Sequence, residues 1–311
     1  MWLVLNSLVK TIGGGFIALQ LIQSAFVNGI VFYVIQKKCS YKYFCVVLYF
    51  LLYYQYFTTE IMREAMAISI FLLSFDFLLS GKYLKYYVLA ILAVLFHVSA
   101  VVLLIVPFFK IFERKNYNIV VLSTLVLISA TLIWVIFLFL VGRISIYIEY
   151  LEQISDTYLD RENNVFGIIS SFLFYALPYI VVLSYIDTSK IDNTYENRFI
   201  LISIIIVKAL AISCSPLSRF SNYFVIFALI VIVNLMGHIK VSHKKMAVTL
   251  CVIVLIYNQF SFYFKDYSMY TGGKKSHYYN LFIPYSSYLD PQEDNLREEI
   301  VWGQEHLKYI K

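Results

Sequence analysis

Apolar runs of about 20 residues, each closed by a short polar or basic cluster, recur along the chain as far as residue 264. Each is long enough to cross the ~30 Å hydrocarbon core of a bilayer as a helix. The pattern predicts an all-α, polytopic membrane protein with about 8 full transmembrane helices. Residues 12–35 form the first span and end at Lys37, Lys38 and Lys42, and residues 1–10 read as an interfacial helix. Residues 43–58 cross back, residues 58–60 make a tight turn, and residues 61–79 return to Gly81, Lys82 and Lys85. Further spans fall at residues 118–141, 166–186, 199–215, 220–238 and 246–264, with a break at Pro216. Residues 142–165, with Arg143, Glu149, Glu152, Asp156, Asp160, Arg161 and Glu162, are expected outside as a lid or substrate loop. The domain reading is a transmembrane domain over residues 1–264 and an extracytoplasmic C-terminal tail over residues 265–311, rich in tyrosine as suits a membrane interface. No internal repeat is evident.

Composition sharpens this picture. At 61% hydrophobic and 14% charged, the 311-residue chain is too apolar for a soluble core. The net charge of +6 comes mostly from lysine and arginine in short loops, the asymmetry that orients a membrane protein, so no nucleic-acid partner is expected. Counting these charges places the basic loops in the cytoplasm and the N-terminus outside. One apolar run then conflicts with parity, because Lys82 and Lys85 precede it while Lys110, Arg114 and Lys115 follow it. A short helical hairpin around residues 86–110 resolves the conflict: two arms of about 12 residues, each reaching about 18 Å, turn at His97 in the outer half of the membrane. A straight span with those charges outside is the alternative. Cys39, Cys45, Cys214 and Cys251 lack metal-ligand or disulfide spacing and read as small apolar fillers, so no metal is expected.

The ionisable residues left inside apolar sequence are the candidates for chemistry. Arg63 and Glu64 open the helix REAMAISIFLLS, His97 interrupts VLAILAVLFHVSAVVLLIVPFF, and Arg219 lies in SPLSRFSNYF. Two arginines and a histidine near one face suit a substrate with an anionic phosphate, since guanidinium forks take phosphate oxygens bidentately. Against that stands a structural reading: arginines snorkel at helix ends, and Ser99 is close enough in sequence to satisfy His97. Glu64 is expected to pair with Arg63 or a neighbouring helix, and Asp76 to be a helix-end charge. Lys208 falls mid-span, on nearly the same helical face as Ser215, and either enters the cavity or pairs with a carboxylate.

The arginine-led REAMA helix, FHVSA, SRFSNYF after a proline break and the late IPYSSYL, in that order and spacing, resemble the EpsG family of bacterial exopolysaccharide proteins, grouped with Wzy-type polymerases. The resemblance runs from about residue 3 to residue 289. It implies a membrane glycosyltransferase that joins repeat units carried on undecaprenyl diphosphate, at the outer face of the bacterial cytoplasmic membrane, in exopolysaccharide, capsule or O-antigen synthesis. It implies no cofactor, metal or nucleotide sugar. Its partners would be lipid-linked oligosaccharide donor and acceptor, the bilayer, a chain-length regulator and a flippase. Carried over by position, Arg63, His97, Arg219 and Tyr223 are the motif residues. Catalytic roles then fall to His97, Arg63 and Arg219, and substrate binding to Arg63, Arg219, Tyr223, Glu64 and Lys208. His97 is either the general base for the acceptor hydroxyl or a hydrogen-bond donor to phosphate. Family members usually carry an extra N-terminal span and an outer loop before the stretch resembling WLVLNSLVK, so a truncated or misassigned start is expected here. A lipid-linked oligosaccharide transporter and a membrane acyltransferase are the other classes; neither an inverted repeat nor an acyl-donor site speaks for them.

Overall fold

The computed structural model describes residues 1–110, 195–213, 215–238, 242–281 and 295–310, together with residues 125, 128, 129, 178, 180 and 181. The expected spans at residues 118–141 and 166–186 and the loop at residues 142–165 lie outside the described residues, apart from these isolated positions. Among the described residues the chain is helical, with one isolated antiparallel bridge between Asp266 and His277. It divides into two compact units, Met1–Ile253 and Val254–Lys311.

In the first unit, α1 (Trp2–Thr11) precedes α2 (Phe16–Lys38), helices over the stretches read from the sequence as an interfacial helix and a first span. Helix α3 (Lys42–Tyr49) runs on through two π-helical segments, Phe50–Tyr54 and Tyr56–Glu60. The turn expected at residues 58–60 is therefore misplaced: helical winding continues to Glu60, and the break falls at Ile61. The buried Gln23 side chain explains why the chain can break there. Its amide donates to the carbonyls of Phe57 (3.2 Å), at the end of the π-helix where carbonyls run short of intrahelical partners, and of Met62 (3.4 Å), the first residue of the next helix, so one side chain spans the break.

Helix α4 (Met62–Leu79) is the centre of this unit. It is apolar on all sides, from Ala65 to Phe75, and nearly all of it is buried, as expected for a helix enclosed by others. Phe71 and Phe75 pack edge-on, and an aromatic cluster around them takes in Phe199, Phe224 and Phe227. Gly81, at φ 71°, ends the helix: Lys82 N–H reaches the Phe77 carbonyl and Gly81 N–H that of Leu78, closing the last turn in the left-handed conformation glycine adopts cheaply.

The hairpin is present. Helix α5 (Tyr83–Phe96) stops at His97, whose backbone is extended, and the chain returns as two 3-10 segments, Val98–Leu104 and Val106–Phe109. The buried Tyr86 hydroxyl donates to the Leu103 carbonyl at 2.6 Å, joining the arms. Lys110 ends beside the start of the hairpin, donating to the Leu78 carbonyl at 2.7 Å with its ammonium over the Tyr83 ring. A straight span would have carried Lys110 to the opposite end. The return arm is 3-10 rather than α-helical, with Pro107 near the start of its second segment.

Helix α6 (Tyr195–Ser213), a 3-10 segment (Ser215–Phe224) and α7 (Val225–His238) follow, placing the expected break between the two spans. Helix α8 (Ser242–Tyr263) passes into the second unit. Two described segments are long and apolar enough to cross a membrane by composition, Phe16–Lys38 and Arg219–Met236.

Contacts at the two ends give the first unit its polarity. At one end Asp76 is bridged by Lys37 (2.6 Å) and Lys38 (2.8 Å), and Asn234 binds the Lys38 carbonyl and the Ser40 N–H, so α2, α4 and α7 meet there beside Lys110. The other ends of α4 and α7 meet near Glu64 and Asn222. The lysines thus mark one end, and Arg63, His97 and Arg219 the other.

The second unit contains a turn through Gly272 and Gly273, α9 (Asn295–Ile310) and an ion pair between Lys274 and Glu299. The Ser268 backbone N–H donates to Asp266 and holds that exposed carboxyl below its usual range.

Candidate functional site

Three chain breaks build the site. Ile61 ends a π-helix, so Arg63 and Glu64 fall in the first turn of α4, where Glu64 also suits the positive end of the helix dipole. His97 caps the returning 3-10 arm with its own side chain, which accepts the Ser99 N–H. The 3-10 segment before α7 carries Arg219, Asn222 and Tyr223 on one short stretch.

Glu64 is buried, with 1% of its surface exposed. Its Oε1 accepts from Asn222 Nδ2 at 2.9 Å, and the same amide reaches the Tyr56 hydroxyl at 3.4 Å. Its Oε2 is buried with no hydrogen-bond partner among the described residues. The expected partner on a neighbouring segment is therefore Asn222. Above this carboxylate, Arg63 and Arg219 are both exposed, and their charges both act on the His97 ring. Arg219 Nη1 lies 3.5 Å from His97 Nε2. On the other side of the ring, Ser99 Oγ is 2.6 Å from Nδ1 and 2.9 Å from the hydroxyl of the fully buried Tyr223, which rests against Phe71.

Five of the expected residues, Arg63, Glu64, His97, Arg219 and Tyr223, thus come together from three parts of the chain. Lys208 lies in the second half of α6, and none of the contacts of those five among the described residues involves it. Sequence reading named Ser99 only as a possible partner for His97 and missed Asn222 and Tyr56. The signal for Asn222 was an amide between Arg219 and Tyr223, in a segment otherwise bound for the bilayer. No group of three or more metal-ligating side chains occurs among the described residues.

The arrangement has one buried carboxylate, two exposed guanidiniums and a half-buried imidazole, and so carries excess positive charge facing outward. It can hold an anion with several oxygens. A helical membrane protein with such an end has the character of a polysaccharide polymerase-like protein. The chain belongs to the EpsG family, whose model matches residues 1–287. No curated protein and no solved structure matches it.

Proposed function

We propose that this protein is a metal-independent glycosyltransferase of the Wzy type, joining repeat units carried on undecaprenyl diphosphate at the outer face of the bacterial cytoplasmic membrane. One observation supports the reading above others: Arg63, Arg219 and His97 gather at the end of the bundle opposite the lysines. With the lysine end in the cytoplasm, the cationic site faces outward.

In this reading the acceptor sugar hydroxyl attacks the anomeric carbon of the donor. The new C–O bond forms as the bond to the diphosphate breaks, and the lipid diphosphate leaves with the electron pair. The hydroxyl proton passes in the same event to His97 or to an oxygen of the departing diphosphate. Arg63 and Arg219 bind the diphosphate and neutralise charge that grows as it departs, the kind of preorganised stabilisation that contributes most to such reactions. Glu64 and Asn222 fix the base of the site. Tyr223 supports the ring of His97. A flippase and a chain-length regulator are the further partners this reading assigns it in the cell.

The test is purified protein in proteoliposomes with lipid-linked repeat units. Polymerisation yields a ladder of longer glycans and one lipid diphosphate per linkage. A transporter would move the lipid between leaflets and leave chain length unchanged, and an acyltransferase would alter mass without lengthening the chain.

A further inference from the structure

A neutral imidazole has one donor nitrogen and one acceptor nitrogen, and the surroundings decide which is which. Nδ1 of His97 faces the Ser99 backbone N–H at 3.2 Å, and a backbone N–H can only donate. Nε2 faces a guanidinium N–H of Arg219 at 3.5 Å, which also can only donate. Both nitrogens cannot accept. The Ser99 contact lies within the normal range for a hydrogen bond and is built into the cap of the 3-10 arm, while 3.5 Å lies beyond that range. Nδ1 is therefore the acceptor. Protonating both nitrogens would set Nδ1–H against the Ser99 N–H and break the cap.

The rest of the chain of hydrogens follows. With Nδ1 accepting, the Ser99 hydroxyl at 2.6 Å donates to it, and the Ser99 oxygen takes the hydrogen of Tyr223 at 2.9 Å. Tyr223 is fully buried and cannot turn its hydroxyl to solvent instead. The hydrogens run Tyr223 to Ser99 to His97 and end on Nε2–H, beside Arg219.

We propose that Ser99 and Tyr223 are positioning residues that hold His97 with its hydrogen on Nε2, so that His97 and Arg219 together donate to one phosphoryl oxygen and His97 is not the base. Two N–H groups that face each other at 3.5 Å repel when empty and are both satisfied by an anionic oxygen placed between them. The identity of the anion, a lipid diphosphate, rests on the function proposed above, whereas the tautomer does not. Because Nε2 already carries hydrogen, the proton of the acceptor hydroxyl passes to an oxygen of the departing diphosphate.

The test uses the full chain in nanodiscs with 15N-labelled histidine, the His97 signals being assigned by their loss in His97→Gln. The expected spectrum has a bare Nδ1 and a protonated Nε2, and titrated inorganic pyrophosphate shifts the Nε2 signal. Ser99→Ala and Tyr223→Phe keep the backbone N–H that fixes the tautomer but disrupt the hydroxyl chain that ends on Nδ1, so hydrogen should stay on Nε2 while the Nδ1 signal shifts and pyrophosphate binding weakens about twofold to tenfold, the net worth of one neutral hydrogen bond. Unchanged signals from the other histidines show that these variants fold. Hydrogen on Nδ1, or on both nitrogens, overturns the inference, as do an Nδ1 signal and a pyrophosphate affinity unmoved in both variants. An Nε2 signal indifferent to pyrophosphate overturns the anion role. If spectrum and pyrophosphate response are as expected but lipid-linked units give no ladder, the polymerase reading fails and this inference stands.

Discussion

At the scale of single residues, the site separates groups that hold an anion from groups that hold those groups. His97 tests the separation. Glutamine keeps a hydrogen-bond donor but cannot take up a proton at neutral pH. With His97 as a donor, His97→Gln should keep turnover within about tenfold of the parent, the worth of one adjusted hydrogen bond, and His97→Ala should fall further. A base would instead lose about 100-fold to 10,000-fold in both variants; turnover of glycan extension at saturating substrate distinguishes them. The second residue-level prediction concerns Glu64, one of whose oxygens is already unpaired. Asn222→Ala strips the partner from the other oxygen and should destabilise the protein by about 1–3 kcal/mol. Thermal unfolding in detergent would show the loss, and Glu64→Gln in that background should recover much of it by removing a buried unpartnered charge.

At the scale of elements, the hairpin around His97 is the feature on which the site depends. It places a histidine from apolar sequence at an irregular turn, and at membrane depth such backbone is tolerated only when enclosed by protein or lining a cavity. Cysteines placed at Lys82 and Lys110 should label from the same side of the membrane, and labelling from opposite sides would require a straight span. Tyr86→Phe leaves the Leu103 carbonyl without its 2.6 Å partner and should loosen the return arm, seen as faster proteolysis or hydrogen exchange over residues 98–109. The all-helical character and this hairpin were legible in the sequence because hydropathy and charge are properties of stretches, and parity allows only a few arrangements. The break after α3 was misplaced because Thr58, Thr59 and Glu60 look like a turn, whereas Gln23, far away in sequence, stabilises a break at Ile61. The order Tyr223–Ser99–His97 was hidden for the same reason: two polar residues two positions apart in FHVSA say nothing of a tyrosine more than a hundred positions away. Lys208 was marked by its rarity within an apolar stretch, and the contacts described for the five gathered residues neither include it nor test its role.

At the scale of the molecule, the first unit has two chemically distinct ends. Lys37, Lys38 and Lys110 tie α2, α4 and the hairpin together around Asp76 and the Leu78 carbonyl, and Arg63, Arg219 and His97 occupy the other end. The central claim is that the arginine end is where glycan is joined, and that it works through guanidinium geometry rather than charge alone. Lysine keeps the charge but loses the planar fork that grips two phosphate oxygens. The direct measurement is the glycan ladder made from lipid-linked repeat units by purified parent, Arg63→Lys, Arg63→Ala, Arg219→Lys and Arg219→Ala at equal protein amounts. The account predicts a full ladder from the parent and, from each lysine variant, a loss nearly as deep as from its alanine counterpart. Ladders of parental length and rate from the alanine variants would contradict it.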